Sequence, residues 1–386
     1  MRSWRWVLAV ILVAGSARAQ WKILPSGSTA DLRGIDAAGN GVAWASGTQG
    51  TVLRTTDGGK SWQRCATPPG AEGLDFRGAQ AFDASTAIVM SSGKGALSRL
   101  YKTTDGCKSW KLVATNPDPD GFWDAMKPDS DFTSTGDTGE MVFVLGDSVR
   151  RELRVWEWKE GWDDRELELS YEAKGKAEPD EASFAASNSV FQVVKTTQAD
   201  KTWKYHLRWV SGTADHAYMH IVRVEQTPTC EPCREETLRT ELPMGNGGLT
   251  SGVVSFAFRG ELVGVAVGGN FEKPDASAKT AAVTIDAGIS WSAAQTPPHG
   301  YRSAVAYDAA NRTWITVGPN GTDISTDDGL NWRALRPNPA LNEPADKVPE
   351  DRNWNALSLP FVVGPHGRIG KLRPDSLNPT PPGMKR

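Results

Sequence analysis

The string TTDGGKSW at residues 55–62 returns as TTDGCKSW (103–110), TIDAGISW (284–291) and STDDGLNW (325–332). The shared pattern is a hydroxyl, one residue, Asp, one residue, usually a Gly, two more residues and Trp. Such recurrence marks a repeat protein, in which similar supersecondary units must stack to bury a common core. Asp57, Asp105, Asp286 and Asp327 are placed to accept backbone N–H groups of the turn that follows each of them. Gly59, Gly288 and Gly329 supply the positive φ that a tight turn needs. The Trp is a large apolar plug for a neighbouring unit. A β-prone run precedes each copy and another follows, so the motif reads as the hairpin turn between the last two strands of a repeated β-unit. These four aspartates are therefore expected to be structural.

The remainder of the chain fits that unit. Blocks of about 50 residues, short alternating runs, 39 glycines and 24 prolines predict an all-β, seven-bladed propeller of four-stranded blades. Residues 21–25 (WKILP) look like a last strand without a motif before it, and residues 355–372 read as three strands without a fourth. An N-terminal strand that completes the last blade explains both and removes two exposed sheet edges. Units 3 and 4 lack the motif. Residues 172–182 read as a charged connector, and the innermost strand of unit 4 is expected from Ser183 and Phe184.

Arg2, Arg5, the apolar run 6–14 and Ala17-Arg18-Ala19 form a signal-peptide pattern with cleavage after Ala19. Residues 1–19 are thus expected to be removed, leaving 20–386 as a single propeller domain. Without a cysteine at the cleavage point, and without a later apolar stretch long enough to span a bilayer, the mature chain is expected to be a soluble monomer. Its compartment would be the periplasm or the medium. The formal net charge of −3 gives no footprint for nucleic acid. No Walker loop, Rossmann fingerprint or Ser-His-Asp signature is present, and no cofactor or metal is expected.

The motif resembles the Asp-box, or BNR repeat, of sialidases and other propellers. VAWASGTQGTVLRTTDGGKSW, RLYKTTDGCKSW, GYRSAVAY and GPNGTDISTDDGLNW resemble bacterial proteins related to the photosystem II stability/assembly factor. That resemblance covers units 1–2 and 5–7, and implies an exported seven-bladed propeller that works by binding, in assembly or maturation of envelope proteins.

The starts of the innermost strands should face the central channel. Arg33, Arg77 and Arg302 stand at such starts in three blades, with Asp124 in a fourth. Guanidinium forks hold carboxylate or phosphate in two-point contacts, so these four residues are the expected binding site for an anionic ligand or a protein segment. The bland reading is that each Arg bonds the neighbouring blade. The alternative function is a sialidase-like glycoside hydrolase using the same arginines. It would also need an acid and a Tyr–Glu pair, and no such pair stands out beside Tyr301 or Tyr307.

Four cysteines allow three pairings. Cys107 replaces a motif glycine in unit 2 and Cys65 lies in the last strand of unit 1, which predicts a Cys65–Cys107 bridge. Cys230 and Cys233 sit where a unit-4 motif turn would be and are expected to pair with each other. A redox role, or zinc binding with His216 and His220, is the weaker reading.

Overall fold

The computed structural model describes residues 20–129, 141–149, 151–159, 168–172, 177–184, 187–197, 203–227, 230–245, 248, 250–335, 351–373 and 376–377. The expected signal peptide lies outside them, as do the side chains of Cys230 and Cys233.

Strand β1 (Trp21–Leu24) comes first and is used last. Blade 1 follows as β2 (Leu32–Gly39), β3 (Val42–Gly47), β4 (Thr51–Thr55) and β5 (Gln63–Arg64). Blade 2 is β6 (Phe76–Ala81), β7 (Ala87–Ser91), β8 (Arg99–Thr103) and β9 (Lys111–Thr115). Blade 3 is β10 (Trp123–Pro128), β11 (Met141–Val149), β12 (Glu152–Lys159) and β13 (Glu168–Glu172). Blade 4 is β14 (Phe191–Thr197), β15 (Trp203–Gly212), β16 (Ala217–Thr227) and β17 (Cys230–Leu242). Blade 5 is β18 (Ser251–Arg259), β19 (Val263–Asn270), β20 (Ala281–Thr284) and β21 (Ser292–Ala293). Blade 6 is β22 (Ala304–Asp308), β23 (Thr313–Gly318), β24 (Gly321–Ser325) and β25 (Arg333–Ala334). Blade 7 is β26 (Ala356–Ser358), β27 (Phe361–Val363) and β28 (Ile369–Leu372), with β1 as its outermost strand.

All seven sheets are antiparallel and four-stranded, and the innermost strands of successive blades pack together around the ring except at the blade 4–5 step, where β18 packs chiefly against β15. Trp21 pairs with Leu372 and Leu24 with Ile369, so the chain's start closes its end. The second strands are buried on both faces because blades stack on either side. They accordingly read as unbroken apolar runs such as AIVMS in β7 and FVV in β27.

The motif turns are built from one set of bonds. In blade 1 the Thr55 hydroxyl donates to Asp57 Oδ1 (2.9 Å) and accepts from the Gly59 amide (3.0 Å). Asp57 also accepts the Ser61 amide at 3.0 Å and its hydroxyl at 2.6 Å. The same bonds recur at Asp105 with Ser109 and at Asp286 with Ser290, and at Asp327 the side-chain amide of Asn331 takes the place of the hydroxyl. The donated hydrogen bonds from Ser61 hold the Asp57 carboxyl below the usual carboxylate range. Trp62 meets Phe361 of blade 7 edge-on at 5.7 Å, and Trp110 meets Trp44 of blade 1 at 6.3 Å. These motif tryptophans thus tie each blade to the one before it.

Cys65 and Cys107 are bridged across the blade 1–2 boundary, with their Cα atoms 5.2 Å apart. Cys107 holds φ +66°, the left-handed conformation that the glycines adopt in the other copies. Cys230 opens β17, pairing with Thr227, so its backbone belongs to a strand.

Blade 4 departs from the expected layout. Its innermost strand begins at Phe191, not at Ser183 and Phe184. The preceding segment, 187–190, instead crosses the central channel. Ser187 Oγ donates to the Ser303 carbonyl of blade 6 (3.1 Å), and Ser189 Oγ donates to Ser255 Oγ of blade 5 (2.8 Å). Asn188 Oδ1 accepts the Met126 amide of blade 3 (2.8 Å), and a Cβ on Gly78 of blade 2 would lie only 3.3 Å from it. A segment bonded to blades on opposite sides of the ring is a strap across the pore. Sequence pattern alone missed it because SNSV carries neither strand alternation nor a turn signature.

Candidate binding site at the channel mouth

Each blade begins at one face of the ring, where its innermost strand starts. In β2, β6 and β10 the pairing with the next strand shifts by one residue immediately after the first residue, and in β18 it does so after the third. The extra residue of each bulge is Arg33, Arg77, Asp124 and Val254. A bulge leaves one residue out of the ladder and re-aims its side chain. Three of the four expected site residues therefore stand at one repeated backbone irregularity. Gly34 and Gly78 follow two of these bulges. A Cβ on Gly34 would come within 2.9 Å of the Arg77 carbonyl, so the close approach of blades 1 and 2 here requires glycine.

Blades 1–3 bring their side chains together. Arg33 Nε lies 3.3 Å from Asp75 Oδ1, and Arg77 Nε donates to Asp75 Oδ2 at 2.9 Å. One carboxylate thus anchors two guanidinium groups through their inner nitrogens. The Arg33 side chain remains 35% exposed, and among the described residues its terminal nitrogens have no partner. The Arg77 guanidinium carbon sits 5.9 Å from the Phe122 ring centroid.

Asp124 is 1% exposed, and among the described residues no donor reaches either carboxyl oxygen, its neighbour being the Asp147 carboxyl. Burial pushes its pKa well above the ordinary value. The neighbouring Asp147 charge pushes the same way, and Arg77 opposes both. Asp147 itself is raised to about 6, chiefly by burial, although the Ser183 amide donates to it at 2.9 Å.

Arg302 is elsewhere. It is fully buried in blade 6, where Nε donates to Asp323 Oδ2 at 2.8 Å and Nη2 contacts the same oxygen. Its Nη1 donates to the Tyr301 carbonyl at 3.0 Å and contacts Asn320 Oδ1. His299 Nδ1 lies 2.8 Å from Asp323 Oδ1. Burial works to raise the Asp323 pKa, but the Arg302 guanidinium and His299 together hold it below the ordinary value. Every face of the Arg302 fork is occupied, so it presents no cation at the mouth.

Two residues of the mouth escaped the sequence reading. Asp75 was visible as the first letter of DFRG, matching DLRG in blade 1. Asp147 needs the strands aligned. Leu32 pairs with Gly47, Phe76 with Ser91 and Trp123 with Gly146. The next residues are Thr48, Ser92 and Asp147, whose amides all donate to the residue preceding the first strand. Only blade 3 carries a carboxylate among those three positions.

Among the described residues, no group of three or more His, Cys, Asp or Glu is placed to hold a metal ion, and no helix is long and apolar enough to cross a membrane.

No family model and no curated protein matches the chain. Solved structures do. The chain is similar to "YCF48 bound to D1 peptide" at 14% identity, covering 92% of this chain and 97% of that one, with a TM-score of 0.55. It is similar to YCF48 from Cyanidioschyzon merolae at 16% identity, covering 92% of this chain and all of that one, with a TM-score of 0.52. At such identity the likeness is one of fold, in keeping with the seven four-stranded blades seen here.

Proposed function

We propose that this chain is an exported, non-enzymatic binding propeller that holds an acidic segment of a protein partner at the mouth over blades 1–3, in the service of envelope-protein assembly. The observation that carries this reading is Arg33. Its inner nitrogen rests on Asp75 while its outer nitrogens face solvent, which pre-orients a fork for a carboxylate. The strap across the pore supports surface binding over threading, since the channel beneath the mouth is already crossed by the chain itself. The fold likeness supports the class of partner, because one similar propeller is described as bound to a peptide.

The test is a pull-down from envelope extract with wild type and Arg33→Ala, alongside a fluorogenic sialoside assay on both. A partner retained by wild type and lost by the variant, with no turnover in either, is the expected result. Sialoside turnover that the variant abolishes would replace this reading with a glycoside hydrolase.

A further inference from the structure

The mouth contains two carboxyl groups that the binding of an anion does not use. Asp124 and Asp147 face each other at the start of blade 3, close enough for their carboxyls to share a hydrogen bond once one is protonated, and among the described residues no donor reaches either buried Asp124 oxygen. The strap forms part of their enclosure: Asn188 bonds Met126 two residues beyond Asp124, and Ser183, earlier in the same connector, donates to Asp147. Adjacent carboxylates in a site this dry cannot both ionise at ordinary cost. At least one proton must be shared between them or be held by one.

The charges around the pair are few. From blade 1 comes Arg33, and from blade 2 come Arg77 and Asp75, which together sum to one positive charge. From blade 3, on the far side of Asp147, Arg154 is paired with Asp118 at 3.2 Å and Glu152 at 3.0 Å. From the connector, Glu181 is turned away, accepting from Ser211 and Arg239 and lying beside His220. With Asp124 and Asp147 both protonated, the one positive charge of the Arg33–Asp75–Arg77 cluster is offset by the one negative charge of Arg154 with its two carboxylates, so the surround is neutral. It becomes negative when one of them ionises, which opposes an acidic ligand.

We propose that the Asp124–Asp147 pair is a proton-binding site that regulates the mouth. With a proton on each carboxyl the mouth holds an acidic segment tightly, and loss of one proton to solvent releases it. This rests on the binding reading above and adds a control to it. The Arg77 guanidinium couples the two, because it lies between Asp75, which it bonds, and Asp124, whose charge it opposes.

The probe is a fluorescein-labelled oligo-aspartate peptide, followed by anisotropy against full-length mature protein. Wild type should bind about tenfold more tightly at about pH 5.5 than at about pH 7.5. Asp147→Asn keeps an oxygen for the Ser183 amide and should bind tightly at both values, with less than about a twofold difference. Wild-type binding that is insensitive to pH overturns the proposal, as does a variant that keeps the wild-type pH dependence, since the titration would then lie elsewhere. Arg33→Ala separates the two readings. If it weakens binding but pH has no effect, the binding site stands and the proton control falls. If the peptide binds regardless of Arg33, or not at all, the ligand reading fails. The proton site is then decided by carboxyl carbon NMR: a signal titrating at about 6 in wild type and missing in Asp147→Asn supports it, and no such signal overturns it.

Discussion

Blades 2 and 6 each place an arginine at the start of the innermost strand, and the two residues have opposite fates. Arg302 is fully enclosed, and its guanidinium is used up by Asp323, Asn320 and the Tyr301 carbonyl. Arg77 sits on a bulge, shares Asp75 with Arg33 and stays partly exposed. What differs is the third strand of the same blade. Blade 6 offers Asp323, buried within β24, as an inward partner. Blade 2 has Tyr101 two residues into β8, where its ring packs edge-on against Phe76 and presents no charge. An arginine with a carboxylate inside its own blade becomes part of that blade. One whose carboxylate lies at the rim keeps part of its side chain exposed.

That contrast can be broken experimentally. The largest effect should come from Arg302→Ala, which strands Asp323 as an unpaired buried charge. We expect a loss of about 3–5 kcal/mol in denaturant unfolding. A loss below about 1 kcal/mol would show that blade 6 does not depend on this pair.

Next in size is the bridge across blades 1 and 2, which bear the mouth. Cys65→Ser should cost about 2–4 kcal/mol. Cys107→Gly removes the same bridge but suits the positive φ at that position, so it should cost about 1 kcal/mol less than Cys107→Ser. Equal losses for those two variants would mean that the turn conformation carries no strain.

A smaller effect should follow pH. The folded-state pKa of Asp147 is raised to about 6, so its contribution to stability is present at low pH and fades as pH rises through about 6. Compared with Asp147→Asn, wild type should lose about 1–2 kcal/mol between about pH 4.5 and about pH 7.5. Parallel stability curves for the two proteins would place the titration elsewhere.

The smallest expected effect on stability is that of Arg33→Ala. Its ion pair is partly exposed, so unfolding should change by less than about 1 kcal/mol. A loss as large as that of Arg302→Ala would make Arg33 a structural residue and remove it from the binding site.

The fold was legible because its signals are local and repeated. Four copies of one turn, a lone first strand and three strands awaiting a fourth specify blades and closure without any knowledge of contacts. The site was legible in part. DLRG and DFRG mark two arginines, and an aligned reading of strand ends would have added Asp147. The strap at 187–190 was not legible. Its residues are bound by serine and asparagine side chains to blades remote in sequence, and the innermost strand of blade 4 moves to Phe191 as a consequence.

By itself, then, the sequence determined the repeat, the β-class and the arginines at strand starts, because hairpin turns and period-two alternation are properties of a few neighbouring residues. Tertiary structure decided which arginine is free. That depends on whether a carboxylate from another strand reaches the guanidinium: Asp323 reaches Arg302 from 21 residues away, while Asp75 holds Arg33 by one nitrogen and leaves the others to solvent.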